Sequence, residues 1–238
     1  MTNIDSLKEE AEKLDIKLDE KSEDMFLNYK ELLKEWNQKI NITAITEDVE
    51  IDQKHFLDSL TVLGTGLFEG QKKVIDVGTG GGFPGLPIKI VNDELDVTLF
   101  DSLNKRIKFL DIVIEELGLE GIRAVHGRAE ESARTKEYRE NYDICVSRAV
   151  AQLNTLVEYC LPFVKPGGHF IAMKGPDVQE EVDEAKNAID TLGGELEDIQ
   201  EIKIPGTDIV HSLVIIKKVR NTAKTYPRGG GNPRKNPL

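Results

Sequence analysis

Cysteine is nearly absent, with Cys145 and Cys160 the only two in 238 residues. A disulfide framework or a multi-cysteine zinc site needs more, so both are excluded and a reducing cytoplasm is expected. Aromatic residues are sparse at 6%, but 39% of the chain is hydrophobic and a sizeable core can form. No apolar run approaches the roughly 18 residues of a membrane span, so no membrane partner is expected. The stretch at 1–15 is acidic and has no apolar segment, which excludes a secretory signal. Charge is abundant at 31% but of mixed sign, which argues against wholesale disorder. At roughly 150 residues per domain, the length suggests one large domain, alone or with an extension.

The formal charge is −12, and taken as an average it argues against a polyanionic partner. The average conceals a division. Residues 1–60 carry a balance of −8 and residues 61–208 a balance of −11. Residues 209–238 hold seven basic residues and no acid. The terminal stretch 221–238 also contains three prolines and three consecutive glycines. It is expected to be an extended, mobile arm, either solubilising or in contact with nucleic acid.

Three segments are expected: a helical extension (1–66), an α/β domain (67–220) and the basic tail (221–238). In the extension, Met25, Phe26, Tyr29, Leu32, Leu33 and Trp36 recur at helical steps, with Ser22 as the expected N-cap. A second helix is expected after Thr46, with Val49, Phe56, Leu60 and Leu63 on its buried stripe. At about 100° per residue, His55 lies roughly 120° from that stripe and Lys54 further round. From residue 72 the pattern alternates. Strands are expected at 72–78, 96–101, 122–127, 142–147 and 167–174, with helices at 104–117, 152–160 and 177–191, predicting a parallel sheet covered on both faces. The strands 197–205 and 209–218, joined by a short loop, predict a terminal antiparallel hairpin.

The loop Asp76-Val-Gly-Thr-Gly-Gly-Gly-Phe-Pro-Gly lies where the first strand meets the first helix, the place where such folds bind ligands. Gly80, Gly82 and Gly85 match a dinucleotide fingerprint in one register, with Asp101 about twenty residues on. A nicotinamide-dependent oxidoreductase is therefore one reading. Asp76 opposes it, because a carboxylate there repels a pyrophosphate and favours a cation. S-adenosylmethionine, with an ammonium and a sulfonium, is such a cation, and Asp101 would accept from its ribose diol.

The stretches LLKEWNQKINITAIT (32–46), KHFLDSL (54–60), IDVGTGGGFPGLPIKI (75–90), DSLNKRIKFL (101–110), HGRAEE (126–131), VSRAV (146–150), MKG (173–175) and the tail resemble the bacterial small subunit rRNA methyltransferase G family, also called glucose-inhibited division protein B. The tail departs from that pattern in reading Arg228-Gly-Gly-Gly-Asn. The resemblance implies a class I S-adenosylmethionine-dependent methyltransferase fold: Rossmann-like, with a mostly parallel seven-stranded sheet, an antiparallel terminal hairpin and a helical N-terminal extension. It implies methyl transfer from S-adenosylmethionine to N7 of a guanine in 16S rRNA, on naked rRNA, an assembling particle or the small ribosomal subunit. By the same resemblance Gly78, Phe83, Ala129, Glu130 and Arg148 match cofactor positions, beside Asp76, Gly80 and Asp101.

Guanine N7 carries no proton, so its methylation needs alignment rather than a general base. The chain has no Ser-His-Asp order and no metal-spaced His/Cys cluster, and no metal is expected. Cys145 and Cys160 fall in strand and helix patterns as core residues, not nucleophiles. Arg148, at the end of the fourth strand, is the one residue assigned a catalytic, positioning role; a structural ion pair with an acid such as Glu130 is its other reading. RNA contacts are expected from Lys54, His55, Arg123, Arg128 and Lys174 and from the tail residues Lys224, Arg228, Arg234 and Lys235, with Arg134, Lys136 and Arg139 on the same positive face. A monomer is expected. A non-catalytic RNA-binding assembly factor is the third reading of the chain.

Overall fold

The computed structural model describes residues 4–148 and 151–238; the expectations for Ala149 and Val150 lie outside these. The extension begins with helices α1 (Ile4–Glu12) and α2 (Glu20–Ile40). Asp19, not Ser22, caps α2: its side chain accepts from the Ser22 amide at 2.8 Å, and Ser22 itself is buried. An acid there also suits the positive end of the helix dipole.

The expected second helix is broken into pieces. It comprises α3 (Asp48–Ile51), a π-helical turn (Asp52–Leu57), α4 (Asp58–Leu60) and a 3₁₀ segment (Thr61–Thr65). A π turn advances each residue by less than an α turn, so the phase computed at 100° per residue fails across it. Val49, expected to be inward, is 49% exposed, while His55, expected to lie off the stripe, is only 8% exposed. Lys30 of α2 reaches the π turn through a buried ion pair with Asp52, Nζ to Oδ2 2.7 Å.

The sheet has seven strands: β1 (Lys73–Val77), β2 (Asp96–Asp101), β3 (Ile122–His126), β4 (Tyr142–Arg148), β5 (Val164–Lys174), β6 (Gly194–Lys203) and β7 (Val210–Lys218). Their order is β3-β2-β1-β4-β5-β7-β6, with β7 antiparallel to both neighbours and the rest parallel. This is the expected mostly parallel sheet closed by a hairpin. Helices α5 (Gly85–Val91), α6 (Asn104–Glu116), α7 (Ala129–Ser132), α8 (Leu153–Cys160) and α9 (Gln179–Thr191) connect the strands. Alternate residues of one strand enter different cores, as the two-residue period requires. Val74, Ile144 and Val146 pack with the extension, α5 and α6 on one face. Ile75, Val77 and Cys145 pack with α8 and α9 on the other.

The chain leaves β1 for β2 and β3 on one side, then returns to β4 on the other, so the topological switch lies between β1 and β4. The loops after β1 and β2 meet the end of β4 there, at Arg148. The tail is not an arm. It packs along the domain and ends in the short helix α10 (Asn232–Lys235), with Thr222, Pro227 and Pro233 buried. Buried partners override its glycines and prolines. Arg139 donates to the carbonyls of Thr222 (2.7 Å) and Tyr226 (2.9 Å), and Arg134 Nε to that of Pro227 at 2.8 Å. Arg228 clasps the fully buried Glu158, Nη2 to Oε2 2.6 Å.

Candidate functional site

The glycine loop after β1 is shaped from below by Asp76. Its Oδ2 accepts from the Thr79 hydroxyl at 2.6 Å and the Gly85 amide at 2.8 Å, joining the loop to the start of α5. Gly85 has no room for a side chain, since a Cβ would lie 2.3 Å from Leu99 of β2. Gly82 combines φ +104° with a Cβ position 2.8 Å from the Tyr29 hydroxyl. The fingerprint register therefore reflects close packing of the loop against β2 and α2.

Phe83 is held by the extension. Its ring stacks on His55 at 4.4 Å and on Tyr29 at 5.5 Å, and the Arg148 guanidinium lies 5.0 Å over it. The Tyr29 hydroxyl donates to the Gly81 carbonyl. Arg148 does not pair with Glu130. Its Nη1 donates to Asp58 Oδ2 at 2.6 Å and to the Lys54 carbonyl at 3.1 Å, and its Nη2 to His55 Nδ1 at 3.2 Å. A guanidinium only donates, so Nδ1 of His55 accepts and its Nε2–H donates to Thr43 Oγ1 at 2.8 Å. Burial, then the Arg148 charge, pull the His55 pKa down to about 4, which leaves the ring neutral at pH 7. Burial pushes Asp58 up, but the His211 hydrogen bond and the Arg148 charge outweigh it, and its carboxyl is held below the ordinary value.

Two clefts open on this arrangement and share Gly78, Asp101, Ser102 and Leu103. The first, about 480 Å³, lies over Gly80 and Phe83 and reaches His55 and Arg148. The second, about 510 Å³, runs past Ala129 and Glu130 to Tyr159 and is closed by Gly231, Arg234 and Lys235 of the tail. Asp101 sits at their junction, 3% exposed. It accepts from the amides of Gly80 (3.0 Å) and Leu103 (2.8 Å) and from Arg106 Nη1 (3.2 Å). An elongated ligand bearing a diol over Asp101 fits this double cleft. Asp76 does not line it. Its Oδ1 is buried under the loop with no hydrogen-bond partner, and burial, offset in part by Thr79, Gly85 and Arg148, raises its pKa to about 6. The expected direct contact of Asp76 with the ligand is therefore not made: the carboxyl is fully buried and acts by bracing the glycine loop.

The expected residues therefore divide. Gly78, Gly80, Phe83, Asp101, Arg148 and His55 line the first cleft, and Ala129, Glu130 and Arg128 the second. Lys54 and Lys174 line a third cavity, which Arg148 also lines. Their ammonium groups are already paired, Lys54 with Glu50 and Lys174 with Glu181. Arg123 lies on β3 with its Nε 3.4 Å from Thr98 Oγ1 and lines none of the three, and Lys224 is exposed on the tail. Arg228, Arg134 and Arg139 hold the tail rather than facing outward for RNA. Both cysteines are fully buried, and burial holds the Cys145 thiol well above its ordinary value, so it is no nucleophile. Tyr29, Thr43, Asp58, Arg106 and His211 escape sequence reasoning. The KHFLDSL stretch contains Asp58, but only the π turn and β7 bring it against Arg148 and His211.

Known proteins resemble this chain throughout. A family model described as rRNA small subunit methyltransferase G matches residues 22–210. Ribosomal RNA small subunit methyltransferase G of Clostridium perfringens (strain 13 / Type A) is 52% identical over 238 residues, covering 100% of both chains. The protein of the same name from Clostridium botulinum (strain 657 / Type Ba4) is 54% identical over 226 residues, 94% of this chain and 95% of its own. Among solved structures, M. jannaschii TYW2 in complex with AdoMet superposes with a TM-score of 0.52 at 14% identity, over 68% of this chain and 77% of that one. That likeness concerns the fold alone. Family match, full-length identity and the cleft at the switch point agree: the chain belongs to the rRNA small subunit methyltransferase G family.

Proposed function

We propose that this protein transfers a methyl group from S-adenosylmethionine to N7 of one guanine in 16S rRNA, acting as a monomer in the cytoplasm. The observation that carries the reading is the pair of clefts meeting over Asp101 and Gly78 in a chain of this family. Asp101 would accept from the ribose diol of the cofactor. Ala129 and Glu130 flank the cleft for its base, and the glycine loop with Phe83 flanks the cleft for its amino-acid end. When bound, S-adenosylmethionine supplies an electrophilic methyl carbon whose departure leaves the bonding pair on sulfur.

The protein residues supply alignment. N7 of guanine offers a lone pair and no proton, so no group has to remove one. Arg148, braced by Asp58, His55 and the Phe83 ring, lines both the first cleft and the third cavity, so it would stand between cofactor and acceptor. No helix among the described residues is long and apolar enough to cross a membrane. The oxidoreductase reading loses its support with the family assignment. The test is a methylation map of small-subunit rRNA from cells with and without this chain, alongside transfer of labelled methyl groups by the purified protein. Loss of a single N7-methylguanine is the expected result. An unchanged map together with intact RNA binding would favour the assembly-factor reading.

A further inference from the structure

The third cavity, about 470 Å³, adjoins the first cleft, with His55 and Arg148 lining both. Its volume falls within the roughly 300–1,000 Å³ of ligand pockets. Met173 and Pro176 contribute apolar surface from the end of β5 and the loop after it, and Ile204 and Ile209 from the ends of the β6–β7 turn. These apolar side chains suit contact with a flat ring. Its polar lining is built around Asp58, whose Oδ1 accepts from His211 Nδ1 at 2.5 Å while Oδ2 takes Arg148 Nη1. His211 is held at its other nitrogen, 3.2 Å from Thr61 Oγ1.

The cluster fixes the guanidinium in one orientation. Of the five N–H donors of an arginine, three are taken by the Lys54 carbonyl, Asp58 and His55. Nε–H and one Nη2–H have no partner among the described residues. Guanine carries N7 and O6 on the same edge. A base seated against these apolar side chains, with N7 turned toward the cofactor cleft, brings O6 to the remaining donors of Arg148. The N7 lone pair is then left free.

We propose that this cavity is the acceptor site, that it takes the flipped target guanine of the RNA, and that Arg148, positioned by Asp58 and His211, selects guanine through O6. The proposal rests on the methyltransferase reading above. Adenine presents an amino group where guanine presents O6, so two donors would oppose each other there. The base must leave its stack to enter, as bases do when an enzyme acts on them in a closed pocket.

Two measurements test it. Ile209→Trp fills the cavity without touching the cofactor clefts. Methyl transfer to small-subunit rRNA should fall at least tenfold while the rise in melting temperature given by S-adenosylhomocysteine is retained. Should that rise also vanish, Pro176→Tyr in the loop after β5 is the second probe, read in the same way. Transfer within twofold of wild type with the S-adenosylhomocysteine response intact would overturn the acceptor site. A wild-type protein that transfers no methyl group at all would instead remove the underlying reading. For selectivity, the target guanine is replaced in rRNA by inosine, which keeps O6 and N7, or by 2-aminopurine, which lacks O6. Inosine should be methylated nearly as well as guanine and 2-aminopurine roughly tenfold or more worse, the discrimination expected of one good base contact. In Arg148→Met, which has no donor for O6, that ratio should collapse toward one, a change that general loss of structure does not produce. An unaltered ratio would take O6 recognition away from Arg148.

Discussion

His55 shows how much a single side chain depends on its surroundings. Its ring is covered by Phe83 and faces Arg148, so the protonated form would bury a second positive charge beside the guanidinium. Its pKa is about 4 in the folded chain against 6.5 when unperturbed. Below pH 6.5 the unfolded chain therefore binds a proton that the folded chain refuses. The contribution is complete above pH 6.5 and is lost as pH falls toward 4. At pH 4.5 this amounts to about 2.5 kcal/mol, from ~1.4 kcal/mol per pKa unit. Asp52 and Asp76 work in the opposite sense. Both have folded values raised to about 6, so their contributions fade as pH rises from 3.8 through 6. Comparing urea unfolding of wild type with His55→Asn cancels those two. The variant should lose less stability than wild type between pH 7 and pH 4.5, and parallel curves would show that His55 is not excluded from protonation. The sequence placed His55 among candidate residues, but periodicity put it off the buried stripe. Nothing in a linear string marks the π turn that rotates it inward.

At the scale of elements, the extension and the sheet meet through α2 and the π turn, and one buried ion pair joins those two. Lys30 and Asp52 are 3% and 4% exposed at their side chains. Lys30→Met leaves a carboxylate buried without its partner and should cost about 3 kcal/mol in thermal or urea unfolding. Lys30→Met with Asp52→Leu replaces the pair by apolar volume and should recover most of the loss. A double variant as unstable as the single one would mean that the pair itself, and not the uncompensated charge, holds the junction. Strand positions at 96–101 and the helix from residue 104 agree closely with the periodicity, since both are amphipathic elements on a regular sheet. The 46–65 region does not, because tertiary contacts of Phe56, Leu57 and Asp58 outweigh its local helical pattern.

For the whole molecule the decisive feature is the distribution of charge. The basic tail reads as a free arm, yet it is docked, and its arginines are not equivalent. Arg228 is consumed by buried Glu158, whereas Arg234 and Lys235 are exposed at the mouth of the second cleft. Deleting residues 229–238 leaves the Arg228–Glu158 clasp in place and removes those two cations. The salt dependence of RNA binding should flatten by about 1.4 in log–log slope, at ~0.7 per phosphate on single strands. Because Gly231 and its neighbours also close the cleft, the Kd for S-adenosylhomocysteine should rise about fivefold, or ~1 kcal/mol. Salt titration and calorimetry on the same truncated protein separate the two roles, and an unchanged slope would leave the tail a cleft wall only. The sequence by itself determined the alternating architecture, the terminal hairpin, the glycine loop and the acid at the end of β2. These follow from local periodicity and from backbone conformations that few residues allow. Only the tertiary structure decided that Asp76 braces the loop from beneath, that Arg148 pairs with Asp58 and not Glu130, and that the tail walls a cleft. Such pairings join residues far apart in the chain, 94 positions for Arg148 and Lys54 and 150 for Thr61 and His211. They are selected by the cost of leaving buried charges and polar groups without partners, which no local pattern records.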